Sequence, residues 1–137
     1  MNKICTSIEQ SKKLMELGLD VNTADMIYQP TMDIDSMSNV GFDKIPLCFP
    51  FNRVKECNIQ YLPAWSLSAL LRIIPKHIKD FNVLRIDIGE KDFAIWYDEI
   101  GYGVNTELPN ITTECPIDAC FEMVCWLLEN GYIEKGE

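Results

Sequence analysis

Val83-Leu-Arg-Ile-Asp-Ile88, Gly89-Glu-Lys-Asp92 and Phe93-Ala-Ile-Trp-Tyr97 form one continuous stretch, and its reading decides the fold class. Leu84, Ile86 and Ile88 alternate with Arg85 and Asp87, the period of two expected of a half-buried strand. Gly89-Glu-Lys-Asp92 has turn chemistry, and the apolar and aromatic run after it suits a returning strand. Asp98-Glu99 or the glycines that follow turn the chain again into Tyr102–Thr106. The expectation is an antiparallel meander over 83–88, 93–97 and 102–106, with Leu84, Ile86 and Ile88 facing inward.

Such a sheet needs a lid for its apolar face. The best candidate is Pro116-Ile-Asp-Ala-Cys-Phe-Glu-Met-Val-Cys-Trp-Leu-Leu-Glu-Asn130. Proline suits the first turn of a helix, where its missing N–H is not needed. Gly131 stands where a left-handed cap ends one. Ile117, Cys120, Phe121, Val124 and Leu128 make one buried stripe at helical spacing. Ala119, Met123 and Trp126 make a second apolar line, leaving Asp118, Glu122 and Glu129 as a narrow acidic face. A helix this apolar is expected to be covered on two sides, by its own domain or by a partner.

The second lid is the helix that Pro63 or Ser66 opens, with Leu67, Leu70, Leu71 and Ile74 inward and Pro75 as its stop. A first helix follows Thr6 or Ser7, with Glu9 or Gln10 completing a capping box. Its inner face is Ile8, Leu14, Met15 and Leu17, and Gly18 ends it with Leu19 folded back on Leu14. Residues 22–62 are the least regular. Pro30, Pro46 and Pro50 exclude long helices there, and short extended pieces are expected at Met26–Gln29, Leu47–Phe51 and Ile59–Leu62. Phe42, Phe49, Phe51 and Tyr61 lay this region on the core, and residues 31–39 are expected to be a mobile loop. The fold class is therefore α+β: an antiparallel β-meander of about three or more strands, with two to three helices packed on one face. One globular domain over 1–137 fits the length.

Composition narrows function by exclusion. At 47% hydrophobic and 24% charged residues the chain is ordinary globular material. No apolar run approaches the roughly 18 residues that cross a bilayer. The opening Met-Asn-Lys-Ile-Cys-Thr-Ser-Ile-Glu-Gln has charge and amide where a signal peptide has its apolar stretch, so a cytoplasmic protein is expected. The formal charge is −9 and unevenly spread: residues 89–137 hold 11 acidic against 2 basic side chains, the preceding residues 10 of each. Such a surface repels nucleic acid and acidic lipid and favours basic partners.

The chemistry-bearing residues do not assemble into a motif. Cys5, Cys48, Cys57, Cys115, Cys120 and Cys125 include no C-x-x-C pair. Cys120 and Cys125 fall about 140° apart around a helix, too far to share a metal ion. Free thiols serving as small hydrophobes are the reading, with neither disulfide nor zinc expected. His77 is the only histidine and sits beside Lys76 and Lys79, with no nucleophile motif or orienting acid to make it catalytic. Asp33 and Asp35 faintly resemble a calcium loop, but Ser38 and Lys44 stand where it needs glycine and glutamate. Gly101-Tyr-Gly103 opens no helix and is no phosphate loop. Arg72, Lys76, Lys79 and Arg85 form a small basic spot without aromatic interleaving, which does not make a nucleic-acid site. No catalytic residue, cofactor or metal is assigned.

Three stretches together carry a resemblance: Glu9-Gln-Ser-Lys-Lys-Leu-Met-Glu-Leu-Gly18 with Asn22-Thr-Ala-Asp-Met26, Pro63-Ala-Trp-Ser-Leu-Ser-Ala-Leu-Leu71, and Pro116-Ile-Asp-Ala-Cys120. The chain resembles a group of short proteins encoded in bacterial prophages and integrated mobile elements, over most of its length. That group has no established activity, so the resemblance implies no catalytic residue. It implies an accessory protein that binds a host or phage protein.

The leading expectation is a non-enzymatic interaction protein that docks a partner or a second copy of itself. Its candidate surface is Asp118, Glu122, Met123, Trp126 and Glu129. Trp126 is either core or the centre of that surface. The alternative is an acidic inhibitor that mimics nucleic acid. DNA offers one charge per roughly 1.7 Å of axis, whereas Asp118, Glu122 and Glu129 offer one only about every 6–10 Å. Glu90, Asp92, Asp98, Glu99 and Glu107 would have to join them on one face. A small hydrolase-like enzyme ranks last.

Overall fold

A computed structural model describes residues 3–31, 41–53, 60–104 and 107–136. Its helices are α1 (Ile8–Glu16), α2 (Leu67–Ile73) and α3 (Pro116–Glu129). Its strands are β1 (Met26–Tyr28), β2 (Leu62–Ala64), β3 (His77–Ile78), β4 (Asn82–Ile88), β5 (Phe93–Glu99), β6 (Gly103–Val104) and β7 (Asn110–Thr113). The expected loop at 31–39, the calcium-like aspartates Asp33 and Asp35, and Asn105–Thr106 at the end of the expected third strand lie outside the described residues, Thr31 excepted.

The architecture is α+β with antiparallel pairing throughout. β3, β4 and β5 lie side by side, and both β6 and β7 pair with the other edge of β5. The expected third strand is therefore two short ones: β6 meets β5 at Asp98 and Glu99, and β7 meets it at Phe93 to Trp96. A smaller sheet joins β1 to β2, and Leu47 extends it by exchanging both backbone hydrogen bonds with Ile27, at 2.8 and 2.9 Å.

α3 lies on β5 and β7, α2 packs against α3, and α1 packs against β2. This covers α3 on two sides. Ile117, Ala119, Cys120, Met123, Val124, Leu127 and Leu128 are all buried. Phe93, Ile95 and Tyr97 of β5 are buried beneath it, each worth roughly 1.5–3 kcal/mol of apolar burial. The Tyr97 hydroxyl donates to the Pro75 carbonyl at 2.6 Å, which ties β5 to the end of α2.

The helix ends follow local chemistry. Ser7 and Gln10 form the capping box of α1, and Ser66 caps α2 while its own N–H donates to Asp25 at 2.9 Å. At both α1 and α3 the chain leaves through a left-handed glycine, Gly18 at φ +93° and Gly131 at φ +77°. The following N–H then returns to the helix: Leu19 to the Leu14 carbonyl at 3.0 Å, Tyr132 to the Leu127 carbonyl at 2.9 Å. That is the Schellman arrangement, which only a residue without Cβ enters freely.

Three expectations of burial require correction. Phe49, expected on the core, is 40% exposed. Ile86 and Ile88 share a face with buried Ile95 and Phe93, as their alternation requires. They are nonetheless 39% and 77% exposed, because α3 lies over β5 and β7 and leaves β4 at the uncovered margin. Met15, placed on the inner face of α1, is 41% exposed, while Leu14 beside it is completely buried. Among the described residues, no helix is long and apolar enough to cross a membrane.

Candidate functional site

The sheet has two faces, and among the described residues helices cover only one. Directly opposed residues share a face, so Leu84–Tyr97, Ile86–Ile95 and Ile88–Phe93 lie on the helix side. The other face carries Val83–Asp98, Arg85–Trp96 and Asp87–Ala94. β7 adds Asn110 beside Trp96 and Thr112 beside Ala94, and β3 adds His77 beside Val83. A row Asn110, Trp96, Arg85 thus crosses the open face.

One carboxylate organises the middle of that face. Asp98 accepts from the Trp96 indole Nε1–H at 2.6 Å through Oδ1, and its Oδ2 lies 3.3 Å from Arg85 Nε. The indole is thereby tethered by its polar edge, and the guanidinium, its side chain 57% exposed, lies beside it in a surface ion pair. Trp96 is half-buried, so part of its ring remains available. Phe81 and Ile100 extend the register one step further, joined by the Ile100 N–H to the Phe81 carbonyl at 2.7 Å. Both are well exposed, and Tyr102 follows at 84% exposure. A solvent-facing sheet surface is ordinarily polar. This one brings tryptophan, phenylalanine and isoleucine to the neighbourhood of an Arg–Asp pair.

The five residues expected to form an interaction surface do not come together as one. Met123 is fully buried, which removes it from any surface; it belongs to the core that α3 forms with its neighbours. Trp126 is half-buried and stacked on Tyr132, with ring centroids 5.4 Å apart and planes 13° from parallel. Both rings pack against the main core. Asp118 accepts from Lys3 Nζ at 2.7 Å and from Gln10 Nε2 at 2.8 Å, fastening the start of the chain and α1 to α3. Burial works to raise its carboxyl, but those two donors outweigh it and hold the group below the usual carboxylate range. Glu122 and Glu129 alone remain exposed. Trp96 carried no signal of its own in the sequence, because which face it takes depends on the register with β4.

His77 is exposed on β3, on the open face, next to Val83. An open groove of about 580 Å³ runs along α2, and among the described residues its lining includes Leu71, Arg72, Pro75 and Lys76 but no carboxylate or imidazole. Burial pushes the Cys120 thiol up to about 12, with Cys115 adding to the effect, and the Cys125 thiol up to about 11, with Glu129 adding to it. Both are the opposite of an activated nucleophile. Among the described residues no group of three or more His, Cys, Asp or Glu side chains is placed to hold a metal ion. Comparison with protein families, with curated proteins and with solved structures finds no match to this chain.

Proposed function

We propose that this chain is a non-enzymatic interaction protein that docks another protein on the open face of its sheet, with Trp96 as the anchor. The observation that carries the reading is the Trp96–Asp98–Arg85 unit, joined by a hydrogen bond and an ion pair on a face that no helix covers among the described residues, and flanked by exposed Phe81 and Ile100. Tryptophan and arginine are the residue types most enriched at binding hot spots. Because Asp98 already tethers the indole, little side-chain freedom of Trp96 is lost when a partner docks.

The partner this surface suits is a protein with an apolar patch and a basic rim. The chain's charge of −9 favours such a rim and opposes nucleic acid. The resemblance to prophage-encoded proteins makes that partner a host or phage protein, met in the cytoplasm. Charge mimicry of nucleic acid is the second reading. It rests on Asp118, Glu122 and Glu129, and the Asp118 charge is already paired with Lys3.

Affinity capture from cells that carry the gene tests the proposal, using the native protein beside Trp96→Ala and the pair Glu122→Ala with Glu129→Ala. The expected result is a stoichiometric polypeptide retained by the native protein and by the glutamate variant but lost with Trp96→Ala. Capture that survives Trp96→Ala, or that fails only in the glutamate variant, contradicts the reading, as does capture of nothing.

A further inference from the structure

The helix side of β4 is as bare as the opposite face is aromatic. Ile86 is 39% and Ile88 77% exposed, on the face that also carries buried Phe93, Ile95 and Tyr97. The outer edge of β4 is also unfinished. β3 pairs only with Asn82 and Val83, and the last bond on that edge is the Leu84 N–H to the Lys76 carbonyl at 2.8 Å. Among the described residues, no strand pairs with 85–88 there.

Backbone groups alternate in direction along a strand. The Leu84 N–H points outward to Lys76, while the Gly89 N–H points inward to the Asp92 carbonyl at 2.8 Å. Ile86 and Ile88 therefore direct their N–H and C=O groups outward, away from β5. An edge with bare apolar side chains and free backbone groups is a template for another strand.

We propose that this edge pairs antiparallel with β4 of a second copy of this chain. The length of the free edge and the register select that occupant. Lys76 fills the place beside Leu84, and the chain turns toward β5 at Gly89, so the only strand accepted is one about as short as 85–88 itself. A two-fold axis through Asp87 sets Ile86 opposite Ile88 of the second copy and Ile88 opposite its Ile86. All four outward-directed groups of each copy are then used, in four hydrogen bonds. Moving the axis to Ile86 drives Ile88 of the second copy into Lys76.

Charge does not select this register. On the solvent face Asp87 meets Asp87 of the second copy at the axis, a like-charge pair that works against association, while Arg85 stays with Asp98 of its own chain. Steric fit of the free edge and its apolar side chains carries the pairing. An axis perpendicular to the sheet keeps both helix layers on one side, so the four isoleucines line the floor between them. The open face around Trp96 stays free, and the pairing stands independently of the docking reading above.

Such a contact is smaller than the roughly 800 Å² per partner of stable dimers, so the association is weak and concentration-dependent. Sedimentation equilibrium of the full chain up to about 1 mM should show monomer and dimer, with Kd near 10⁻⁴ M in order of magnitude. Ile88→Lys should raise Kd at least tenfold and leave the melting temperature unchanged, since Ile88 is mostly exposed. The register is read by cross-linking in a background with both Cys48→Ser and Cys57→Ser. Opposed residues at a non-hydrogen-bonded pair lie about 4.5 Å apart at Cα, within disulfide reach. Asp87→Cys should therefore oxidise to a covalent dimer, whereas Arg85→Cys should not. A chain that stays monomeric throughout, a dimer indifferent to Ile88→Lys, or preferential cross-linking through Arg85→Cys overturns the proposal. So does protection of 85–88 that appears only when a different protein is added.

Discussion

Met123→Ala separates the buried α3 from an α3 that presents a surface. Met123 is fully buried among core residues. The change removes three heavy atoms beyond Cβ, a transfer loss of about 2–2.5 kcal/mol at ~0.8 kcal/mol per methylene equivalent. A residual cavity of about 50 Å³ adds roughly 1.2 kcal/mol at ~24 cal/mol per Å³. The total, about 3–4 kcal/mol, falls inside the range for buried Met→Ala changes. For 137 residues the unfolding entropy is roughly 290 cal/mol/K, so the melting temperature should fall by about 10–14 °C. Differential scanning calorimetry measures this, with Glu122→Ala as the exposed control, expected within about 0.5 kcal/mol of the native protein. Sedimentation at low concentration should show unchanged mass for both. A melting temperature lowered by less than a few degrees for Met123→Ala, together with a change in mass, would refute the core assignment.

Three further outcomes follow from the same geometry. The Asp118 carboxyl is held below the usual carboxylate range, so the unfolded chain takes up that proton more readily. Its contribution is present above the unfolded value near 3.9 and is lost as pH falls through the lower folded value. Asp118→Asn should therefore flatten the acid limb of stability against pH below about pH 4. With a side chain 40% exposed, Asp118 should also lose part of its effect in salt. Thiol titration of the native protein at pH 8 should label exposed Cys48 quickly, and buried Cys5 and Cys120 only on unfolding; equal labelling rates would count against their burial. Ser66→Ala removes the cap of α2 and a donor to Asp25, and should cost about 1–2 kcal/mol by chemical denaturation; a change within error would mean that α2 is held by packing alone.

The helices were the most legible elements because each carries local punctuation. Ser7 with Gln10, Ser66 before Leu67, and Gly18 and Gly131 past the ends all act within a few residues of themselves. The β4–β5 hairpin was legible from alternation and turn chemistry for the same reason. What escaped is set by distant parts of the chain. The turn into β4 passes through left-handed Lys79 and Asp80, at φ 49° and 62°, without a glycine to announce it. β7 is four residues with one apolar side chain, too short for a period, and exists because β5 offers it an edge. Alternation correctly assigned Ile86 and Ile88 to the helix side. Whether a helix reaches that far is a question of sheet width and helix placement, which no local pattern encodes. The open-face cluster was hidden likewise: Trp96, Asp98 and Arg85 meet only once the register Arg85–Trp96 is fixed.

Side-chain footprinting of the chain with and without its captured partner tests the central claim most directly. Hydroxyl radicals modify exposed aromatic and aliphatic side chains, so Trp96, Phe81 and Ile100 should react in the free protein. All three should become protected in the complex, while Met15 on α1 and Phe49, both exposed and remote in sequence from that face, keep their free rates. Unchanged modification of Trp96 and Phe81, with protection at Met15 or Phe49 instead, would contradict it.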